Sequence, residues 1–139
     1  IEDVALVLGR KQRFNDHAPK VYSIAEHCYH AAKLYPLNRK GALMHDAPEF
    51  ITGDLITPIK QRTEGYKDIE HSVEIDMARR FNYSPVDPAT FKVIDNVLYQ
   101  VEHCKLFDLP KVYDIDVPIQ HWSAEEAAAK FLELFREFS

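Results

Sequence analysis

Apolar residues recur at intervals of three and four along nearly the whole chain, and this spacing constrains the fold more than any other feature. Such a period places apolar side chains on one face of an α-helix. β-strand alternation is weak and confined to "VYDIDV" at 112–117. The sequence therefore predicts an all-α bundle of about six helices, within the segments 1–8, 24–34, 39–50, 66–81, 91–101 and 131–138.

Two of these helices have a marked start. Ser23 is followed three residues later by Glu26, and Ser123 by Glu126. In such a capping box the hydroxyl accepts a hydrogen bond from the third amide, and the glutamate bonds back to the serine amide. The first box places His27 in the opening turn of its helix.

The chain length of 139 residues predicts one domain, 1–139, with short linkers and no internal repeat. Within 39–50, Pro48 predicts a bend, because proline has no amide hydrogen to donate. The run "EEAAAKFLELFREF" predicts an amphipathic helix at about 123–138 that packs on the domain or forms a homo-oligomer contact.

Composition excludes several classes of partner. The net charge of −5 argues against broad binding of a nucleic acid polymer. No apolar run approaches the ~18 residues of a membrane span, so we expect no membrane partner. No signal peptide is visible, although the first residue, Ile1, leaves room for residues upstream. Cys28 and Cys104 form no CxxC pair, and we expect buried free thiols in a cytoplasmic protein.

The stretch "HDAPEFITGD" at 45–54 follows the apolar run "ALM" and contains four ionisable side chains. A buried charge without a partner costs several kcal/mol or shifts its pKa. The stretch is therefore either a solvated helix end or a metal site.

Two further ionisable groups favour the metal site. His27 shares an apolar helix stripe, and Asp95 lies beside Ile94 on the inward side of another predicted helix. A lone inward histidine is usually a satisfied core residue. With the adjacent His45 and Asp46 on a third segment, however, one divalent metal ion would satisfy two imidazoles and two carboxylates together.

Four stretches of the chain resemble a known family. "YSIAEH" at 22–27, "HDAPEFITGDLITPIK" at 45–60 and "FKVIDNVLYQVE" at 91–102 are similar to the metal-ligand segments of HD-domain phosphohydrolases. They most resemble the bacterial 5′-deoxynucleotidase branch and its phage relatives. "IEDVALVLGRKQRF" at 1–14 resembles that branch's opening helix and its Arg-aromatic pair.

The resemblance implies a divalent metal ion, which could be manganese, cobalt, zinc, iron or magnesium. It implies these metal ligands: His27, His45, Asp46 and Asp95. It also implies two catalytic carboxylates, of which Glu49 orients or deprotonates the attacking water and Asp54 protonates the leaving oxygen. We expect Glu102, seven residues after Asp95, to support the ligands by a hydrogen bond.

The resemblance also places Arg13 and Phe14 in the substrate pocket. A planar guanidinium at Arg13 would pair with phosphate oxygens, and Lys60 is a second phosphate candidate. Phe14 stands where tryptophan is usual in the bacterial branch, and its ring would leave no room for a 2′-hydroxyl.

The residues around the His-Asp pair, and one absent motif, argue against three other branches of HD-domain proteins. Ala47 and Pro48 follow the His-Asp pair, unlike the HD-x-G-H run of the large oligomeric triphosphohydrolases. Glu49 precedes Phe50, whereas guanosine tetraphosphate hydrolases have an adjacent Glu-Asp there. The Gly-Tyr-Pro of cyclic-dinucleotide phosphodiesterases is absent.

We therefore expect a nucleotide as partner and removal of the 5′-phosphate from deoxynucleoside monophosphates as the activity. Two alternatives stay open: release of triphosphate from a deoxynucleoside triphosphate, and a non-catalytic nucleotide-binding module. More basic residues at the pocket would favour triphosphate, and the plausible ones are Lys11, Arg13, Lys20, Lys60 and Arg62.

Overall fold

The structure, a computed structural model, describes residues 1–139 and contains helices but no strand. The eight helices are α1 (Glu2–Arg10), α2 (Ile24–Leu34), α3 (Arg39–Leu43), α4 (Glu49–Thr52), α5 (Thr57–Lys60), α6 (Tyr66–Phe81), α7 (Pro88–Leu106) and α8 (Ala124–Glu137). The all-α prediction is confirmed, and residues 112–117 form no strand. None of the helices is long and apolar enough to cross a lipid bilayer.

There are eight helices rather than six because the third predicted segment is broken into α3 and α4 and because α5 was not predicted. A 3₁₀ turn at Phe14–Asp16, outside this count, was not predicted either. After α3 the backbone tightens, and the Ala47 amide donates to the Met44 carbonyl oxygen at 3.0 Å. Pro48 then has no amide hydrogen with which to continue a helix. The prediction of one bent helix is therefore wrong, and a tight turn joins α3 to α4.

The core lies where α2 packs between α1, α7 and α8. α8 begins at the predicted Ser123, whose Oγ accepts from the Glu126 amide at 3.2 Å, but the Glu126 carboxylate does not bond back to the Ser123 amide, so this box is only half formed. α1 approaches α8 so closely that a Cβ at Gly9 would lie 2.4 Å from the Ala124 carbonyl oxygen. The largest fully buried apolar side chains are Tyr22, Phe131, Leu8, Ile24, Leu43, Met44 and Leu98.

The first capping box is only half formed. Ser23 Oγ accepts from the Glu26 amide at 3.1 Å, as predicted. The buried Glu26 carboxylate does not bond back to Ser23; it accepts from the backbone amides of Gln120 at 2.5 Å and Trp122 at 3.3 Å. The prediction of a reciprocal box is wrong, because this carboxylate instead ties the segment before α8 to α2.

α6 lies on the periphery of the fold. Met77 is the only buried residue among its 16. Ile69 and Ile75, two apolar residues of this helix, are exposed. α6 therefore gains little from burial, in contrast to α2.

Candidate active site

Four predicted ligands meet between three parts of the fold, and we call them the ligand cluster: His27, His45, Asp46 and Asp95. His27 lies on α2, Asp95 on α7, and the other two in the turn between α3 and α4. The Nε2 atoms of His27 and His45 are 3.2 Å apart. Asp46 Oδ2 lies 3.2 Å from His45 Nε2, and Asp95 Oδ1 lies 3.4 Å from His27 Nε2.

The outer ring nitrogens define the tautomers of both histidines. His27 Nδ1 donates to Glu102 Oε2 at 2.7 Å, and His45 Nδ1 donates to the Ala42 carbonyl oxygen at 2.6 Å. Because these oxygens accept, each Nδ1 carries the hydrogen and each neutral imidazole directs an Nε2 lone pair into the cluster. Two lone pairs and two carboxylates that face one another repel unless positive charge lies among them.

The cluster has the dimensions of a metal site. Ligand atoms about 2.1 Å from a tetrahedral metal ion are about 3.4 Å from one another. The separations that involve a histidine run from 3.2 to 3.9 Å, whereas Asp46 and Asp95 do not fall within one group of ligand atoms less than 4.8 Å apart. Two imidazole nitrogens and two carboxylate oxygens are also donors that divalent transition metals accept. The donor set therefore fits a divalent metal ion.

Protons and a cation compete for this cluster. Burial lowers the pKa of His45, but the Asp46 carboxylate outweighs it, and the net pKa lies well above the ordinary value. Burial raises the pKa of Asp95, but the hydrogen bond and charge of His27 outweigh it and lower the pKa. In the metal-free protein the imidazoles attract protons for the same reason that they would attract a cation.

Glu102 supports the cluster from α7, and its predicted hydrogen bond is present. The fully buried carboxylate accepts from His27 Nδ1 and from the Tyr22 hydroxyl. Its other oxygen lies 3.3 Å from Arg13 Nη2, and Arg13 Nη1 lies 3.6 Å from Asp46 Oδ2. One buried carboxylate thus orients a ligand histidine and holds the arginine beside the cluster.

The cluster opens into a cavity of about 810 Å³, which we call the main cavity. Its size is within the usual range for small-molecule sites. Four carboxylates line it: Asp46, Glu49, Asp54 and Asp95. The predicted substrate residues Arg13, Phe14 and Lys60 line it as well.

The surroundings of the two predicted catalytic carboxylates favour the protonated, uncharged form of each carboxyl group. Burial and the charges of Asp46 and Asp54 raise the pKa of Glu49 to about 9 in the metal-free protein, and Glu49 Oε2 is buried without a partner. Burial and the charge of Asp46 also raise the pKa of Asp54. Gly53, at φ 74°, adopts the left-handed turn that leads from α4 to Asp54.

Phe14 reaches the cavity through an unusual backbone. Phe14, Asn15 and Asp16 all have positive φ, at 56°, 51° and 64°. This left-handed turn is sterically costly for residues with a Cβ. It stacks the Phe14 ring on two rings of α7, Tyr99 at 5.4 Å and His103 at 5.9 Å between centroids. No sequence signal predicts this conformation.

Lys60 is already paired inside the protein. Its Nζ lies 2.8 Å from Glu70 Oε2, so α5 is joined to α6 beside the cavity. Cys28, predicted as a buried thiol, is buried and free, and it also lies beside the cluster: its Sγ is within 4.8 Å of ligand atoms of His45 and Asp46. The sequence carries no spacing signal for either contact.

A family model described as "5′-deoxynucleotidase YfbR-like" matches residues 21–103. The chain belongs to the YfbR-like family. This confirms the resemblance seen in the sequence, and the YfbR-like family is one of metal-dependent HD-domain phosphohydrolases. The match includes the whole ligand cluster, whereas Arg13 and Phe14 precede it.

Two relatives of this YfbR-like chain have similar but longer sequences. "Uncharacterized protein YfdR" of Escherichia coli (strain K12) is 30% identical over 103 residues, which are 73% of this chain and 58% of that protein. "Uncharacterized protein RCAP_rcc00048" of Rhodobacter capsulatus is 34% identical over 103 residues, 66% of this chain and 53% of that protein. The match thus spans little more than half of each relative.

Proposed function

We propose that this protein is a metal-dependent phosphohydrolase that removes the 5′-phosphate from deoxynucleoside monophosphates. The observation that carries the proposal is the ligand cluster, in which two imidazole lone pairs and two carboxylates face one another beside a substrate-sized cavity. Membership of the YfbR-like family supports the same class of reaction.

In this proposal the ligand cluster holds one divalent cation, which supplies positive charge beside the phosphoryl oxygens. Glu49 orients the attacking water. A bound cation would lower the raised pKa of this carboxyl, and the ionised Glu49 would then accept the proton of the water as the new P–O bond forms. Asp54 donates a proton to the 5′ oxygen of deoxyribose as the old P–O bond breaks. The raised pKa of Asp54 favours the protonated form that this step needs.

The substrate contacts are assigned from the lining of the main cavity. Arg13 adds a positive charge for the phosphate while Glu102 and Asp46 hold its guanidinium in place. Phe14 forms the wall against the sugar. Lys60 can reach a phosphate only when its ion pair with Glu70 opens.

Monophosphate is favoured over triphosphate by the charge of the cavity. Of the five basic residues that the sequence made plausible, two line the main cavity, Arg13 and Lys60. Four carboxylates line it as well. A triphosphate brings more negative charge than a monophosphate, and this lining offers little to neutralise it beyond a bound cation.

The test is a panel of dAMP, AMP and dATP with protein reconstituted with Mn²⁺, Co²⁺ or Zn²⁺. We expect phosphate release from dAMP, less from AMP, and none after chelation. Glu49→Gln should keep the metal but lose about 10²- to 10⁴-fold in kcat. Glu64→Gln, an exposed carboxylate outside the cavity, is the matched control.

Three results would contradict the proposal. Full activity without metal would remove the ligand cluster from the chemistry. Triphosphate release from dATP without dAMP hydrolysis would select the second activity. If dAMP binds but none of the three metals supports its hydrolysis, the protein is a non-catalytic nucleotide-binding domain.

A further inference from the structure

We propose a stacking subsite for the nucleobase that favours purines over pyrimidines. It is formed by three rings: Tyr99 and His103 on α7, and Phe107 directly after the end of α7. We call these rings the aromatic row. The inference rests on the proposed function, because it places the phosphate of a nucleotide at the ligand cluster. It adds which part of the substrate is recognised at the other end of the main cavity.

The aromatic row extends directly from the ligand cluster. Asp95, Tyr99, His103 and Phe107 are spaced by four residues, and the first three lie within α7. Residues four apart lie on one helix face, about 6 Å apart along the axis. All four line the main cavity. The row therefore leads away from the phosphate position one helical turn at a time.

Two rings of the row are nearly parallel, whereas Phe107 stands edge-on, at 60° to His103 and 72° to Phe14. Tyr99 and His103 are 6.0 Å apart with 16° between their planes. Phe14 lies 25° from the plane of Tyr99 and 17° from that of His103. Tyr99 is nevertheless 42% exposed, although it is a large side chain on a well-packed helix. An exposed ring in a set of parallel rings at a cavity wall is a stacking surface for a planar ligand.

The other residues that line the main cavity distinguish bases by the size of the ring system rather than by hydrogen bonds to the edge of the base. Leu55 and Ile56, from the segment between α4 and α5, contribute further apolar surface to the same cavity. The amide side chains beside the row, Asn15 and Asn96, are exposed. Exposed amides discriminate weakly among hydrogen-bond patterns, whereas every base has a π-face. A two-ring purine covers more of the row than a pyrimidine does.

Tyr99→Ala is the decisive variant, and Tyr113→Ala is its matched control. Tyr113 is 41% exposed and lies at a different cavity, away from the main one. Kinetics should be measured with dAMP, dCMP and 2-deoxyribose 5-phosphate, which has no base. We expect Tyr99→Ala to raise the KM for dAMP about ten-fold, the usual scale of one base stack. The KM for dCMP should rise less, while kcat and the base-free substrate should be unaffected.

The conservative variant Tyr99→Phe keeps the ring and should restore most of the dAMP affinity. Equal weakening of dAMP and 2-deoxyribose 5-phosphate by Tyr99→Ala would overturn the proposal, since the residue would then support the fold or the reacting end. An unchanged KM for dAMP would also overturn it. Equal KM values for dAMP and dCMP in the wild type would overturn the purine preference.

Calorimetric binding separates this proposal from the hydrolysis. The Kd values of dAMP and 2-deoxyribose 5-phosphate are compared for Mn²⁺-loaded wild type and Tyr99→Ala. If no phosphate is released but dAMP binds more tightly and Tyr99→Ala removes that advantage, the hydrolysis fails and the stacking subsite stands. If phosphate is released from both ligands and they bind equally, the stacking subsite fails and the hydrolysis stands.

Discussion

The two sides of the main cavity are built differently. On the inner side, formed by α2 and α7, His27, Glu102 and Tyr22 are fully buried and joined by hydrogen bonds. On the outer side, formed by α4 to α6, Lys60 and Glu70 make a half-buried ion pair. A half-buried ion pair of this kind contributes at most about 1 kcal/mol.

The difference separates two tasks of the site. Buried, hydrogen-bonded ionisable groups hold one geometry, because any displacement leaves an unpaired charge in the interior. The inner side is therefore suited to hold a metal ion in a fixed position. The outer side gains little from burial and can adjust to a substrate at small cost.

The largest effect is expected at His45, a predicted metal ligand in the turn between α3 and α4 that faces the inner side. His45→Ala removes an Nε2 that faces the other ligands, so bound metal and phosphate release should both fall to background. His71→Ala removes an imidazole from α6 whose side chain is 72% exposed, and it should leave both unchanged. Metal content by mass spectrometry and phosphate release are measured for each. A metal-loaded His45→Ala protein would break the comparison.

The two sides should also differ in stability by several kcal/mol. Leu98→Ala on α7 removes a fully buried side chain and should lower the free energy of unfolding by about 2–5 kcal/mol. Ile69→Ala on α6, where the side chain is 57% exposed, should change it by no more than about 0.5 kcal/mol. Urea unfolding of both variants gives the two free energies of unfolding. Equal decreases would show that α6 contributes as much to the stability of the fold as α7 does.

Glu102→Gln tests whether the buried carboxylate of the inner side supports metal binding. It keeps the shape of the side chain but removes the charge that orients His27 and pairs with Arg13, so metal affinity should fall about 10- to 100-fold. Tyr22→Phe removes one hydrogen bond to the same carboxylate and should cost less. Metal competition with a chelator measures both. Unchanged affinity in Glu102→Gln would reduce Glu102 to a packing role.

The smallest effect is a pH dependence at Glu49. Without metal, burial and neighbouring carboxylates raise the folded-state pKa of Glu49 from 4.5 to about 9. Between those pH values the folded protein holds a proton that the unfolded chain has lost, so the free energy of unfolding falls as pH rises. Glu49→Gln has no such proton to lose, so it should be more stable than wild type near pH 8.

That advantage should shrink strongly at pH 5, because the pH is then close to the unfolded-state pKa of 4.5 and ionisation stabilises the unfolded chain little. Thermal unfolding in the presence of a chelator at both pH values provides the measurement. A stability difference that is the same at both pH values would assign the effect to the amide rather than to the titration of Glu49.

Much of the site was predictable from local patterns. Helical spacing placed His27 and Asp95 inward on separate helices, and the spacing of Glu102 from Asp95 predicted its hydrogen bond. The spacing predicted a bend at Pro48 rather than a break. It does not show that amides before Pro48 donate to carbonyl oxygens three residues earlier, as the Ala47 amide does to Met44. That break is what leaves His45 free to face His27.

The sequence by itself determined most of the long helical segments and which side chains are donors, because both depend on residue types and near neighbours. Only the tertiary structure decided what those donors face. The bond between His27 and Glu102 joins residues 75 apart in the sequence, and the bond between Tyr22 and Glu102 spans 80. Such contacts leave no trace in local spacing, since they arise from the way α2 and α7 pack. The tautomers of the histidines, the position of Arg13 and the stacked rings beside it therefore depend on the packed fold.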